Sequence, residues 1–375
     1  MRIALVLAGP YPLARGSQVL VQQLADGLRA RGHAVHLVTY GPVPSDPPGP
    51  RLGRVARDAL LAARLWWVVA REGIDIVHAH NYEAAIAGLL VARGTGRPLV
   101  YHGHNALAEE LPTYFEGRLV RRLARHLGRL LDAHVPRRAD FCITVTEDLG
   151  RILRGYGVPE CGLACIAPAG VPRELGDAPP ARPASGLVCY AGNLDGYQNL
   201  AFLLQSFARV RARVPRARLV VVTHADPRHE AARMRALGLT DGVEVVRARS
   251  FEDVRARLVA ADVAVSPRSE RSGFPMKLLN YMAAGKAIVA AAGSAKGLLD
   301  GVTGRVVPDG DAAAFAAAVV ELLTDPALRA RLGAAARRAV ESPHAWEAVL
   351  DRIEAVYRDV AGPARAGLVP VACAE

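Results

Sequence analysis

Short apolar runs alternate with longer mixed runs along this chain, and the alternation occurs twice. In the first half the short runs fall at residues 3–7, 34–39, 74–78, 99–101, 141–145 and 163–166. The longer runs between them include residues 18–30, 54–71, 83–92 and 118–134. Apolar runs of four to six residues read as strands buried on both faces, and the longer runs as helices. Strands separated by helices pair in parallel, with the helices on the two faces of the sheet.

After residues 171–184, VPRELGDAPPARPA, the pattern starts again. That stretch is rich in proline and has no apolar period, so it reads as a linker. Strands are then expected at 187–191, 218–223, 243–246, 263–265 and 287–290, with helices at 199–213, 228–236, 251–260 and 276–284. Three helices follow, over about 311–323, 326–341 and 344–360, and residues 361–375 read as a tail. The expected fold class is α/β, with two Rossmann-like doubly wound domains, 1–170 and 185–342, facing a central cleft. Ligands of such sheets sit at the carboxyl ends of the strands.

With 375 residues, 51% of them apolar, the chain can bury two cores of ordinary domain size. No apolar run approaches the roughly 20 residues needed to span a bilayer. The nearest, 60–70, is short and carries Arg64. Residues 1–9 hold one charge and a brief apolar run, which fits a first strand rather than a signal peptide. Cys142, Cys161, Cys165, Cys189 and Cys373 are odd in number and lack paired metal spacing. They read as reduced thiols of a cytoplasmic protein.

The net charge is +11, and lysine occurs only at 277, 286 and 296. An arginine bias of this kind is no argument for nucleic acid, and none is expected as a partner. The excess is local: residues 116–138 hold seven arginines against Glu116 and Asp132. Within Arg118–His134, a helical period aligns Leu119, Leu123, Leu127, Leu130 and His134 on one face. Two readings compete. A basic amphipathic helix can lie on an anionic membrane. Alternatively the leucines pack on a core and the arginines are solvated. Trp66 and Trp67, in another helix of this half, fit either reading.

The stretch 263–292 reads VAVSPRSERSGFPMKLLNYMAAGKAIVAAA. It is a strand, a polar loop, Gly273-Phe274-Pro275, a helix ended by Gly285, and another strand. Pro275 fits the first helical turn, where its missing N–H costs nothing. The free N–H groups there, and the positive end of the helix dipole, make an anion site. Arg268 and Lys277 flank it with full charge. A phosphate-bearing ligand is expected, against the plain alternative of an ordinary strand–loop–helix unit.

Gly16 lies between the first strand and first helix, where a glycine lets a phosphate approach the backbone. The stretch matches neither a dinucleotide fingerprint nor a P-loop. His78 and His80 end one strand in IVHAHNYE, and His102 and His104 end another in LVYHGHNALAEE. Alternate spacing puts each pair on one face of its strand. Four histidines suit a metal site, or one or two serve as hydrogen-bonding or acid–base groups. The second reading is favoured, since no carboxylate has clear metal-ligand spacing with them. Glu270 either steadies positive charge developing on a substrate carbon or pairs with Arg268 or Arg271.

These stretches together resemble the retaining glycosyltransferases of family 4, which have the GT-B fold. The likeness covers nearly the whole chain, through GSQVLVQQLADGLRARGHAV (16–35), LVYHGHN, SPRSERSGFPMKLLNYMAAGKAIVA (266–290) and ESPHAWEAVLDRIEAVY (341–357). It implies transfer of a sugar from a nucleotide-sugar donor with retained anomeric configuration, needing neither metal nor cofactor. It places the donor on the second domain, the acceptor on the first, and a last helix, 343–360, back on the first domain.

By position, Gly16 matches the glycine that approaches the donor phosphates, and His104 the histidine near the reacting sugar. Gly273 and Phe274 match the glycine–phenylalanine whose helix start holds the diphosphate. Ser272 and Asn280 stand where the family has two glutamates, and Glu270, two residues early, substitutes for the first. The family's basic pair is missing from Gly192–Gln198, so Arg268 and Lys277 supply the charge. The implied site has His104 and Glu270 as catalytic residues and His80, His102 and Asn105 on the acceptor side. Gly16, Asn193, Arg268, Ser272, Gly273, Phe274, Pro275, Lys277, Leu278 and Asn280 bind the donor.

The acceptor implied is a hydroxyl of a cell-envelope lipid or saccharide. The alternatives are a soluble natural product as acceptor, a sugar-nucleotide 2-epimerase on the same fold, or a nucleotide-sugar binder of weak activity. The expected location is the cytoplasm, with Arg118–His134 as the means of attachment to the inner face of the cytoplasmic membrane.

Overall fold

A computed structural model describes residues 1–12, 16–42, 52–168, 186–194, 196–223, 231–269, 273–341 and 346–362. The expected linker at 171–184, Glu270, Ser272 and most of the 361–375 tail lie outside the described residues. The chain divides into two compact units: residues 1–169 with 272–274 and 346–375, and residues 170–271 with 275–345.

The first unit is built on a parallel sheet of six strands. These are β1 (Arg2–Pro10), β2 (Ala34–Gly41), β3 (Ile76–His80), β4 (Leu99–Gly103), β5 (Phe141–Thr144) and β6 (Leu163–Cys165). Their order is β2-β1-β3-β4-β5-β6. Every residue of the central strands β3 and β4 is buried. A sheet covered on both faces buries the whole strand, here including His78, His80 and His102.

Helices α1 (Gly16–Ala30), α2 (Leu52–Glu72) and α3 (Asn81–Thr95) connect the first four strands. The short α4 (Leu107–Glu110) and α5 (Arg118–His134) lead to β5, and α6 (Glu147–Gly155) to β6. Leu61, Leu65 and Val69 of α2 share one core with Tyr82, Leu89 and Val91 of α3 and Leu149 and Leu153 of α6. Val21, Leu24 and Leu28 of α1 pack in a second core with Leu350, Ile353, Val356 and Tyr357. Those last four lie on a helix from the far end of the sequence, Trp346–Ala361. A Cβ on Gly27 would come within 2.8 Å of Leu350 Cδ1, so the two helices need glycine there to pack closely. Arg31 pairs with Asp351 at 2.6 Å and with Glu354 at 3.1 Å across the same contact.

In the second unit the strands are β7 (Leu187–Ala191), β8 (Arg218–Thr223), β9 (Val243–Arg247), β10 (Val263–Ser266), β11 (Ala287–Ala291) and β12 (Arg305–Val307). They form a parallel sheet ordered β12-β11-β10-β7-β8-β9. The order reverses at β7–β10, the switch point where doubly wound sheets bind ligands. The helices are α7 (Leu200–Arg213), α8 (Ala231–Ala236), α9 (Phe251–Ala260), α10 (Met276–Ala283), α11 (Ala312–Thr324) and α12 (Pro326–Glu341), with Trp346–Ala361 as α13. Phe202 and Phe207 of α7 share a core with Phe315 and Leu322 of α11 on one face. Right-handed crossovers put α9 and α10 on the other.

One expectation is corrected at this level, and one open alternative is decided. Cys161 is disulfide-bonded, while Cys142, Cys165 and Cys189 are free, so the reading of five reduced thiols fails at Cys161. Sequence spacing carries no information on pairing, which depends on Cα separation in the fold. Of the two readings left open for α5, the structure removes core packing: its leucine face is exposed. The buried residues of α5 are Ala124, Gly128 and Asp132. A Cβ on Gly128 would lie 2.6 Å from the Cα of Ala108, so small residues let α5 press against α4. Leu119, Leu123 and Leu127 are 71%, 62% and 50% exposed, and Val120 and Leu130 are exposed as well.

Candidate active site

β3 and β4 pair in parallel with His80 opposite His102. A two-residue period then lines up His78, His80 and His102, with His104 just past the end of β4. The four rings stack. Centroids are 4.6 Å apart for His78–His80, 4.8 Å for His80–His102 and 5.0 Å for His102–His104, with planes 18° to 28° apart. His80 Nδ1 lies 3.1 Å from His104 Nε2, and His78 Nε2 lies 3.1 Å from His102 Nδ1. The far side of His78 is closed by the Tyr357 hydroxyl, 2.6 Å from Nδ1.

Burial, and then the neighbouring imidazoles, hold His78, His80 and His102 well below the usual histidine range. Burial takes His104 down to about 4. The four rings are therefore neutral at physiological pH. One nitrogen from each of His78, His80 and His102 lies within 4.8 Å of the others. Near-parallel rings, however, point their in-plane lone pairs side by side rather than at a common centre. The arrangement suits hydrogen bonding more than metal ligation.

Asn105 follows His104, and its amide donates to Glu110 Oε2 at 3.1 Å. Gly273 belongs to the same unit and has φ +82°, and a Cβ there would come 1.8 Å from Asn105 Oδ1 and 3.1 Å from the His104 carbonyl. Asp132 supports this corner from below. Its carboxylate accepts the backbone N–H groups of Leu107 and Ala108 at 2.9 Å each, and the Tyr82 hydroxyl.

The second cluster lies at the switch point of the second unit. Pro275 is the N-cap of α10 and not its first helical residue, with φ −76° and ψ 93°. Its ring offers no side-chain acceptor, so the cap leaves the first N–H groups of α10 to other partners. Gly285, at φ +62°, closes the other end. The Gly285 N–H bonds Met282 O at 2.9 Å and the Lys286 N–H bonds Tyr281 O at 3.0 Å, the pairing of a glycine-terminated helix. Tyr281 pins α10 to the end of β7: its hydroxyl accepts the Ala191 N–H at 2.7 Å and donates to the Ala191 carbonyl at 3.2 Å. Leu278 is buried beneath the helix start, and Phe274 and Asn280 are partly buried.

Lys277 does not hang over the loop as a free cation. Its Nζ donates to the Tyr190 hydroxyl at 3.0 Å and to Gln198 Oε1. It also lies 4.3 Å from the Tyr190 ring centroid. The Tyr190 hydroxyl in turn donates to the Asn193 carbonyl at 2.7 Å. Burial, followed by repulsion from Arg268, brings the Lys277 ammonium down to about 7. Lys277 thus titrates well below the usual lysine range, where the sequence reading gave it full charge. A Cβ on Gly192 would sit 3.0 Å from Nζ, so this glycine keeps the lysine close to the strand end.

Sequence reasoning missed Tyr357, Tyr190, Gln198 and Tyr281 as parts of these clusters. None carries a local signal; only the crossovers bring them in. Gly16 is the first residue of α1, at the carboxyl end of β1.

Two family models match the chain and together span most of it. "Glycosyltransferase Family 4" covers residues 14–175 and "Glycosyl transferases group 1" covers residues 185–325. The chain is a family 4 glycosyltransferase. The phosphatidyl-myo-inositol mannosyltransferase of Mycobacterium leprae is 29% identical to it over 96% of this chain and 97% of its own length. Among solved structures, sucrose-phosphate synthase from Thermosynechococcus elongatus superposes with a TM-score of 0.82 at 20% identity, over 96% of this chain and 98% of that one. HepE of Anabaena, solved with UDP-glucose, gives 0.76 at 16% identity, over 96% and 100%. At these identities the two structures establish the fold of the enzyme, which is GT-B.

Proposed function

We propose that this glycosyltransferase moves a hexose from a nucleotide-sugar to a hydroxyl of an envelope lipid or saccharide, with retention and without a metal, at an anionic membrane surface. The observation that carries the acceptor side is the exposed leucine stripe of α5. It runs through Leu119, Leu123, Leu127 and Leu130, and Arg118, Arg122, Arg125 and Arg129 form an exposed row beside it. An apolar stripe with arginines alongside suits the boundary between head groups and acyl chains. Trp66 and Trp67, on α2 in the same helical layer, are exposed too, and tryptophan favours that boundary. No helix among the described residues is long and apolar enough to cross a membrane. The mycobacterial relative carries a phospholipid, phosphatidyl-myo-inositol, in its name.

The donor side rests on the α10 N-terminus, with its dipole, Lys277 and Arg268. A diphosphate leaving with growing negative charge would be stabilised by such an arrangement. The leaving phosphate can take the acceptor proton, so no separate base is needed. HepE, on the same fold, was solved with UDP-glucose.

Flotation with vesicles tests the surface. The enzyme should rise with anionic vesicles, and the Leu123→Glu/Leu127→Glu double variant should stay behind; wild-type enzyme left at the bottom overturns the membrane part. Thermal shifts against UDP-, GDP-, ADP- and TDP-sugars test the donor, because a ligand of the folded state raises its melting point. Turnover of the donor without any acceptor would instead favour the epimerase reading.

A further inference from the structure

His80 is fully buried, and its two ring nitrogens differ sharply in surroundings. Nδ1 faces His104 Nε2 at 3.1 Å, whereas Nε2 is buried with no hydrogen-bond partner among the described residues. The neutral ring carries one N–H, so there are two ways to place it. With the proton on Nε2, His80 accepts from His104 and strands a buried donor. With the proton on Nδ1, His80 donates to His104 and strands only a lone pair. Buried N–H groups without acceptors are rarer than under-satisfied acceptors, and a lost donor incurs its full desolvation cost. The second placement is the more stable.

The choice fixes the next ring. If His104 accepts at Nε2, its own proton is on Nδ1. Among the described residues no hydrogen bond engages His104 Nδ1, and the residue is partly exposed. His78, His102 and Tyr357 cannot reverse this order, because they form a separate chain of bonds and meet His80 only by stacking.

We propose that His80 is a positioning residue that holds His104 in its Nδ1–H form, so that His104 meets the substrate as a hydrogen-bond donor to an oxygen atom and not as a proton acceptor. The ligand class is an oxygen acceptor: a hydroxyl of the transferred sugar or a phosphate oxygen of the donor. This rests on the reading of His104 as the residue beside the reacting sugar. It also gives His104 a role for which its neutral state is an advantage, since a donor need not titrate during turnover.

The test is nitrogen NMR on the full chain with ¹⁵N-labelled histidine, reading which ring nitrogen of His104 bears hydrogen at neutral pH. The expected result is hydrogen on Nδ1, with Nε2 bare. Hydrogen on Nε2 in the wild type overturns the proposal. His80→Asn keeps an N–H donor near the position of Nδ1 and should preserve the His104 signal. His80→Leu removes the donor and should give a mixture of the two forms. In turnover, His80→Leu should lower kcat roughly tenfold, the effect of one hydrogen bond, with the donor KM little changed, and His80→Asn should recover most of the loss. If His80→Leu fails to fold, the wild-type spectrum and His80→Asn decide the matter. If His104 shows the Nδ1–H form but His104→Phe turns over normally, the reading of His104 beside the sugar fails while the tautomer assignment stands.

Discussion

The hydroxyl of Tyr357 lies 2.6 Å from Nδ1 of His78, and both side chains are buried. The two residues are 279 positions apart in the chain. Replacing Tyr357 by phenylalanine leaves a buried imidazole nitrogen without its partner, which costs about 1–3 kcal/mol. Chemical denaturation of Tyr357→Phe should show that loss. An unchanged midpoint would mean that the bond contributes nothing net.

Acid should weaken the first unit. All four stacked histidines titrate below their usual range in the folded state, His104 at about 4. In the unfolded chain they titrate near 6.5. Between those values the unfolded chain binds more protons, so stability falls as pH drops from about 6.5 towards 4. Denaturation midpoints at about pH 7 and about pH 5 should differ in that direction. A flat profile would contradict the burial of these rings.

Donor affinity should weaken as pH rises through neutrality. Lys277 is protonated below about 7 and loses its charge above it. A diphosphate beside it favours the charged form, so binding takes up protons in this window. Calorimetry in buffers of different ionisation enthalpy would detect the uptake. Lys277→Met should bind donor more weakly and remove the pH dependence.

Asp132 ties α4 to α5 through two backbone N–H groups and Tyr82. Asp132→Ala abandons the buried Tyr82 hydroxyl and two part-buried backbone N–H groups, a loss of about 1–3 kcal/mol. Its first visible effect should be faster amide exchange in residues 107–110 and 118–134. Protection equal to wild type would show that close packing alone holds the helix.

At Gly273, φ is +82° and the space for a Cβ is taken by Asn105. Gly273→Ala should cut turnover more than tenfold while leaving the melting point within a few degrees, because the strain falls on one loop. Full activity would show that the loop relaxes without harm.

Both sheets were legible because buried parallel strands are largely apolar runs, as in residues 3–8 of β1 and in β11. Strand β12, three residues long, and the short α4 were not, since a few residues cannot display a period. The period of α5 was legible, but the choice between a membrane face and a core face was not. Leucines spaced for a core face point outward because Ala124, Gly128 and Asp132 make the closer contact. In the site, the histidine pairs stood out through their two-residue spacing. The charge state of Lys277 did not, because it depends first on burial in the folded chain and then on repulsion from Arg268.

The return of α13 to the first sheet sets an order of assembly. Leu350, Ile353, Val356 and Tyr357 fill the space beside α1, so one side of the N-terminal half has no cover until these residues are synthesised. A ribosome making this chain must finish the whole second unit first. During that interval Val21, Leu24 and Leu28 stay open to water or to a chaperone, and a transcript truncated before codon 346 would yield a first unit with a raw apolar flank.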